Sequence, residues 1–246
     1  MPGFRRLLSS EWMKLSKSRV WLLVPVSPAI ALLIGALVSF DSVSGSDRYP
    51  ILLSAMGQFH AMFFLPILTG ILAAFVCRYE HGSGGWKQLL SLPVSRTGVI
   101  AAKLLIIAVL LAAVQLLFAA AVYVASVIHG FAPELPWGAL ASAVAGSWLG
   151  CLPLAALQLG VSTLWSSFAA PLAVNVMLTL PNMLVANSEK IAPYYPWAQP
   201  ALTMLRGDAL DFGAFALPIE SLLITVLGSF VIFLSASLVY FNRKEI

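Results

Sequence analysis

Residues 104–133 read LLIIAVLLAAVQLLFAAAVYVASVIHGFAP, a run of thirty positions without Asp, Glu, Lys or Arg. About 20 apolar residues in a helix cross the roughly 30 Å hydrocarbon core of a bilayer. Similar charge-free runs lie at Val20–Phe40, Tyr49–Cys77 and Leu135–Ser188, and a last apolar run at Pro218–Phe241 carries a single charge, Glu220. Leu135–Ser188 is too long for one crossing and suits two, with Ser162-Thr163 and Ser166-Ser167 before Pro171 as the hairpin between them. The expected spans are residues 20–40, 53–77, 104–128, 137–161, 168–187 and 218–241, one all-α transmembrane domain over 1–246. The fold class is an all-α polytopic membrane protein with six transmembrane helices.

Composition agrees. The chain is 246 residues long, 60% hydrophobic and 10% charged, whereas a soluble domain carries roughly 25% charged residues. The net charge of +4 sits in clusters beside apolar runs, which suits lipid headgroups and not nucleic acid. Val20–Phe40 is too long for the apolar core of a signal peptide and has no small-x-small cleavage site. Cys77 and Cys151 show no ligand spacing and read as reduced packing residues.

Orientation follows from the excess of Lys and Arg in cytoplasmic segments. With the N-terminus inside, Arg5, Arg6, Lys14, Lys17, Arg19, Arg78, Lys87, Arg96, Lys103, Arg243 and Lys244 are cytoplasmic. Only Arg48, Lys190 and Arg206 are outside. Both termini are therefore expected in the cytoplasm of a cell with this protein in its inner or plasma membrane. Of the acidic residues, Asp41, Asp47, Glu134, Glu189, Asp208 and Asp211 fall outside.

Three segments beyond the spans carry information. Residues 4–18 read as an interfacial helix, with Phe4, Leu7, Leu8, Trp12 and Leu15 at helical spacing and basic flanks. Glu11 interrupts its apolar stripe. It pairs either with Lys14, three residues on, or with Arg96 or Lys103 of the next cytoplasmic segment. That segment, Arg78–Lys103, contains a flexible Gly82-Ser83-Gly84-Gly85 and a short amphipathic piece, Trp86–Leu90. Ser95 is placed to cap the helix of the third span. Apolar residues on a short helix outside the bilayer need burial. The outer segment 189–217 holds Pro193-Tyr194-Tyr195-Pro196-Trp197 and Pro200, too short and Pro-broken to span, and reads as a re-entrant or interfacial element. Tyr194, Tyr195 and Trp197 offer rings to a substrate in the outer leaflet, or anchor the element there.

Catalytic motifs are absent. No G-x-x-x-x-G-K-[ST] loop exists, and His60, His81 and His129 form no H-E-x-x-H. Ser83 lacks the G-x-S-x-G frame, and no paired intramembrane carboxylates suggest a proton relay. No catalytic, cofactor or metal residue is expected. Within the spans His60, Gln115, Gln158, Asn175, Asn182 and Asn187 line a path or form interhelical hydrogen bonds, worth about 0.6 kcal/mol on average. Gly146 and Gly150 make a small-residue face for packing within the subunit or against another. Pro25, Pro28, Pro66, Pro153, Pro171 and Pro181 are expected to kink or break helices.

The segment Arg78, Glu80, Trp86–Leu90, Leu89–Arg96 (LLSLPVSR) and Lys103 resembles a signature of bacterial type-2 ABC exporter permeases. Within them the chain is most similar to lantibiotic-immunity permeases, through Ser10-Glu11-Trp12, Lys14-Leu15, Arg19-Val20-Trp21, Phe63–Pro66, Gly85–Leu89, Leu152-Pro153-Leu154, Gln158-Leu159 and Tyr195-Pro196-Trp197. The resemblance implies six spans, an N-terminal helix along the inner face and a coupling helix between spans two and three. It also implies a re-entrant element between spans five and six, and a dimer with an identical or homologous permease. Two separate ABC ATPase subunits would carry the ATP and magnesium. Trp86, Leu89 and Leu90 would then fill an ATPase groove, with Glu80 and Arg96 orienting the segment through charge pairs and Glu11 and Trp12 in the helix that moves with it. The expected activity is expulsion of a lantibiotic-like peptide from the membrane. Export of another drug, lipid or polymer, or a non-transporting scaffold or sensor, are the alternatives.

Overall fold

A computed structural model describes residues 2–16, 18–41, 43, 45–82, 84–206 and 213–244. Lys17, Ser83, Asp208 and Asp211, which entered the readings above, lie outside them. The structure is 81% helical, with no strand among the described residues. In chain order the helices are α1 (Pro2–Ser16), α2 (Val26–Ala36), α3 (Arg48–Phe59), α4 (Leu65–His81), α5 (Gly85–Leu90) and α6 (Arg96–Ile128). They continue with α7 (Trp137–Leu164), α8 (Ala169–Thr179), α9 (Asn182–Val185), α10 (Gln199–Met204) and α11 (Ile219–Arg243).

Among the described residues five helical stretches are long and apolar enough to cross a membrane: Arg19–Ala36, Gly45–His81, Arg96–Ile128, Trp137–Leu164 and Ile219–Arg243. The chain is an all-α polytopic membrane protein. The stretch expected as a fifth crossing is shorter, an apolar helix over Ala169–Val185 interrupted between Thr179 and Asn182. Pro181 stands at that break and has no N–H for the preceding turn. Proline acts differently elsewhere. Pro25 directly precedes α2, Pro171 sits in the first turn of α8, and Pro153 is carried inside an unbroken α7.

Pro66 reshapes the second stretch. A proline ring clashes with the carbonyl four residues before it, here Met62. The chain answers with a π-helical turn at His60–Phe64 between α3 and α4, a common way of relieving an inserted mismatch. Asn182 Nδ2 donates to the Met62 carbonyl at 2.7 Å and to that of Trp197 at 2.9 Å. One turn away Asn175 Nδ2 donates to the Pro66 carbonyl at 2.9 Å, and Asn175 Oδ1 accepts from Trp197 Nε1 at 2.8 Å. Gly70 admits this contact, because a Cβ there would stand 2.2 Å from Asn175 Nδ2. The broken helix is thus clamped to α4 through its asparagines.

Helix α7 is central and packs against α4, α6, α10 and α11. Its Gly146 and Gly150 lie on α10: a Cβ on either would come within 2.8 or 2.7 Å of the Thr203 and Gln199 carbonyls. Of the two packings open to this face, the one within the subunit is the one formed. Every residue of α10 is buried, so the short element in the expected re-entrant segment is part of the core. Helix α1 and the end of α11 lie at the same end of the bundle, each held to the start of α6. There α1 packs on α6, and Lys244 Nζ donates to the Thr163 carbonyl at 2.6 Å.

Candidate coupling site

The site at that end starts from a glycine turn. Gly84 has φ +72°, the left-handed region that favours glycine. A Cβ on Gly85 would lie 2.8 Å from both Glu80 Cα and the Tyr79 carbonyl. The glycines, read from sequence as a flexible link, fold α5 hard against the end of α4. Ser95 caps α6 as expected, its Oγ accepting from the Gly98 N–H at 3.1 Å. Helix α5 is therefore held between two helices whose starts and ends are fixed.

Beneath α5 lies a closed ring of four charges. Lys103, fully buried, donates to Glu11 at 2.8 Å and to Glu80 at 2.9 Å. Lys14, partly exposed, donates to Glu80 at 2.6 Å and to Glu11. Each carboxylate faces both ammonium groups, so no buried charge stands alone, which is the condition for tolerating such a cluster. The third Lys103 hydrogen goes to the Val76 carbonyl. Both candidate partners Lys14 and Lys103 pair with Glu11 at once; Arg96, the other candidate, does not. The ring ties α1 to α4 and α6. Glu80, expected to orient the segment through charge pairs, makes them with Lys14 and Lys103 of its own subunit, buried in this ring.

Arg96 is also turned inward. Its Nη1 donates to the carbonyls of Phe241, Asn242 and Lys244 at 2.9, 3.2 and 2.7 Å, closing the end of α11 where unpaired carbonyls collect. Trp86 is only 7% exposed. Its ring lies 5.0 Å from that of Phe241, with the Lys103 ammonium 5.8 Å from its centroid. Its indole N–H donates to His81 Nδ1 at 3.3 Å, while His81 Nε2 meets the Ser162 carbonyl at 2.7 Å; one neutral tautomer satisfies both. The expectation that Trp86, Leu89 and Leu90 stand out as tips is corrected: Trp86 is buried, and both leucines pack partly on the core. A tryptophan has too much apolar area to leave in water when a groove of its own subunit is adjacent. The outward surface of this segment is Lys87, Gln88, Ser91 and Leu92, the last 55% exposed.

On α1, Leu7, Glu11 and Leu15 face inward, and Trp12, 41% exposed, meets Trp21 edge-on at 5.5 Å.

The opposite end holds a cleft of about 730 Å³, bordered by Tyr49, Glu134, Arg206 and Phe215 among others. The three aromatic candidates separate. Tyr194 is 71% exposed. Tyr195 is half-buried and its hydroxyl donates to the Leu178 carbonyl, with burial holding its pKa above the ordinary tyrosine value. Trp197, expected at the surface, is buried on Asn175.

Sequence reading missed one arrangement. His60 is fully buried and stacked on Phe118 at 4.1 Å, with Ser27 Oγ 2.6 Å from Nδ1 and Gln115 Oε1 3.3 Å from Nε2. This chain of polar contacts joins the first three membrane stretches. His60 and Gln115 were visible as polar residues in apolar runs, but Ser27 gave no signal. Asn187 Nδ2 donates locally, to the Met183 carbonyl, and Gln158 Oε1 is buried without a partner among the described residues. No group of residues able to hold a metal ion occurs among the described residues.

Residues 7–182 match the family model described as ABC-2 family transporter protein. No curated protein matches the chain.

Proposed function

The chain belongs to the ABC-2 family of transporter proteins, and from that premise we propose that it is an exporter permease that removes a cationic, lantibiotic-like peptide from the membrane. As a membrane permease subunit of an ABC transporter, it implies an ABC ATPase partner. ATP and magnesium would bind there. A second permease, identical or homologous, would complete the pore.

The observation that supports driven transport over a passive scaffold is the buried ring. It joins α1 to α4 and α6, while Arg96 and Trp86 join the adjoining α5 segment to α11. A push on α5 is therefore delivered to three membrane helices at once through contacts that cannot slip without exposing charge. With the terminal end in the cytoplasm, the cleft at the other end opens outward. Its apolar walls would take the apolar face of an amphipathic peptide and its Glu134 carboxylate a basic group, with the Arg206 guanidinium on the same cleft left for an acidic group or the peptide's carboxylate. Exposed Tyr194 would stand at headgroup depth near the same outer surface.

The test is survival. Cells expressing this permease with its ATPase are expected to withstand a panel of membrane-active cationic peptides better than cells with the ATPase alone. Glu134→Gln should erode that protection at unchanged protein abundance. Equal survival across the panel, with the complex intact, would move the assignment to a drug, lipid or polymer cargo.

A further inference from the structure

Helices α1 and α6 cross, and between them runs a groove of about 390 Å³. Arg5, Leu8, Ser9 and Trp12 line one wall at helical spacing; Leu105 and Val109 line the other, with buried Ile106 below. We propose that this groove is a binding site for an anionic glycerophospholipid, with one acyl chain along Leu105 and Val109 and the phosphate on Arg5.

Charge and depth support that occupant. Of the charged residues on α1, Glu11 is consumed inside the ring together with Lys14. Arg5 and Arg6 remain exposed, so the outward face of the helix is purely cationic. An interfacial helix of this kind attracts anionic headgroups by about 1 kcal/mol per basic residue. Leu105 and Val109 lie nine and thirteen residues into α6, roughly 13 to 20 Å along it at 1.5 Å per residue. The groove thus leads from a cation at its rim into the hydrocarbon part of α6. Leu105 and Val109 are 43% and 45% exposed, so the apolar α6 wall stands open beside a free guanidinium. Ser9 adds a hydroxyl at the same rim for a phosphate or glycerol oxygen. A bound lipid would fasten α1 from outside as Glu11 fastens it from inside.

The full-length permease, purified in detergent, is titrated with phosphatidylglycerol and separately with phosphatidylcholine, and retained lipid is counted by native mass spectrometry. Wild-type protein is expected to retain phosphatidylglycerol preferentially. Arg5→Gln should lower its affinity about fivefold, the equivalent of one basic contact, and leave phosphatidylcholine unchanged. Val109→Trp, which fills the groove from an exposed position, should lower retention of both lipids. Thermal unfolding of each variant establishes that the fold survives. Equal retention of the two lipids by wild type, or phosphatidylglycerol binding unmoved in both variants, overturns the site. So does Val109→Trp abolishing protection against a cationic peptide while lipid retention stays at wild-type level, which would make the groove a cargo path.

Discussion

Lys103 and Glu11 are separated by 92 residues of chain and meet at 2.8 Å, with the lysine wholly buried. Removing one member of a buried pair leaves an uncompensated charge and costs about 3–5 kcal/mol. Lys103→Met should therefore sharply lower the thermal stability of the purified permease. Adding Glu11→Gln removes the charge that Lys103 leaves behind and keeps the Lys14–Glu80 pair. The double variant should be less destabilised than the sum of the singles, with coupling of about 0.5–3 kcal/mol. Strict additivity would show that the four charges do not act as a ring.

Trp86 and Leu92 should separate stability from partner binding. Trp86 is buried on Phe241, so Trp86→Ala should destabilise the permease itself by about 3 kcal/mol, as large aromatic truncations do. Leu92 is 55% exposed, and Leu92→Asp should leave unfolding unchanged while the ATPase no longer co-purifies. If Leu92→Asp keeps its ATPase and transports normally, the outward face of this segment is not where the partner docks.

The legible and illegible parts of this protein divide along a physical line. Charge-free runs of bilayer length are a one-dimensional signal, so the helices at Arg96–Ile128 and Trp137–Leu164 could be read directly. Ser95 announced its cap because capping is local. Which way Trp86 points was not readable, since that depends on Phe241, far away in sequence. An apolar residue in a polar segment has the same pattern whether its own subunit or a partner covers it. Glu11 is the middle case. Its place within an apolar stripe demanded a cation, and both Lys14 and Lys103 were named, but only three dimensions showed that Glu80 shares them. Pro181 was legible as a residue that kinks or breaks a helix, but only the structure shows that it interrupts the fifth stretch between Thr179 and Asn182.

That break makes its own prediction. Asn182 Nδ2 donates to the Met62 carbonyl, which precedes Pro66 by four residues. Asn182→Leu should cost about 1–3 kcal/mol, the range for leaving a buried polar group unpaired. Pro66→Ala restores an N–H to that turn, so the double variant should regain part of the loss. No recovery in thermal unfolding would mean that the Asn182 contact to Trp197 carries the effect.

Orientation can be tested without disturbing the site. Cys77 and Cys151 are buried, so an impermeant thiol reagent should find little background in intact cells. Gly138 is exposed, and a Cβ there would meet nothing within 4 Å; Lys87 is exposed on α5. With eleven basic residues on the terminal side and three on the other, Gly138→Cys should label in intact cells. Lys87→Cys should label only after the membrane is opened. The basic bias is strong because each Lys or Arg near a span resists translocation. The reverse pattern would place the ring and α5 outside the cell, out of reach of any ATPase, and would remove the coupling role from both.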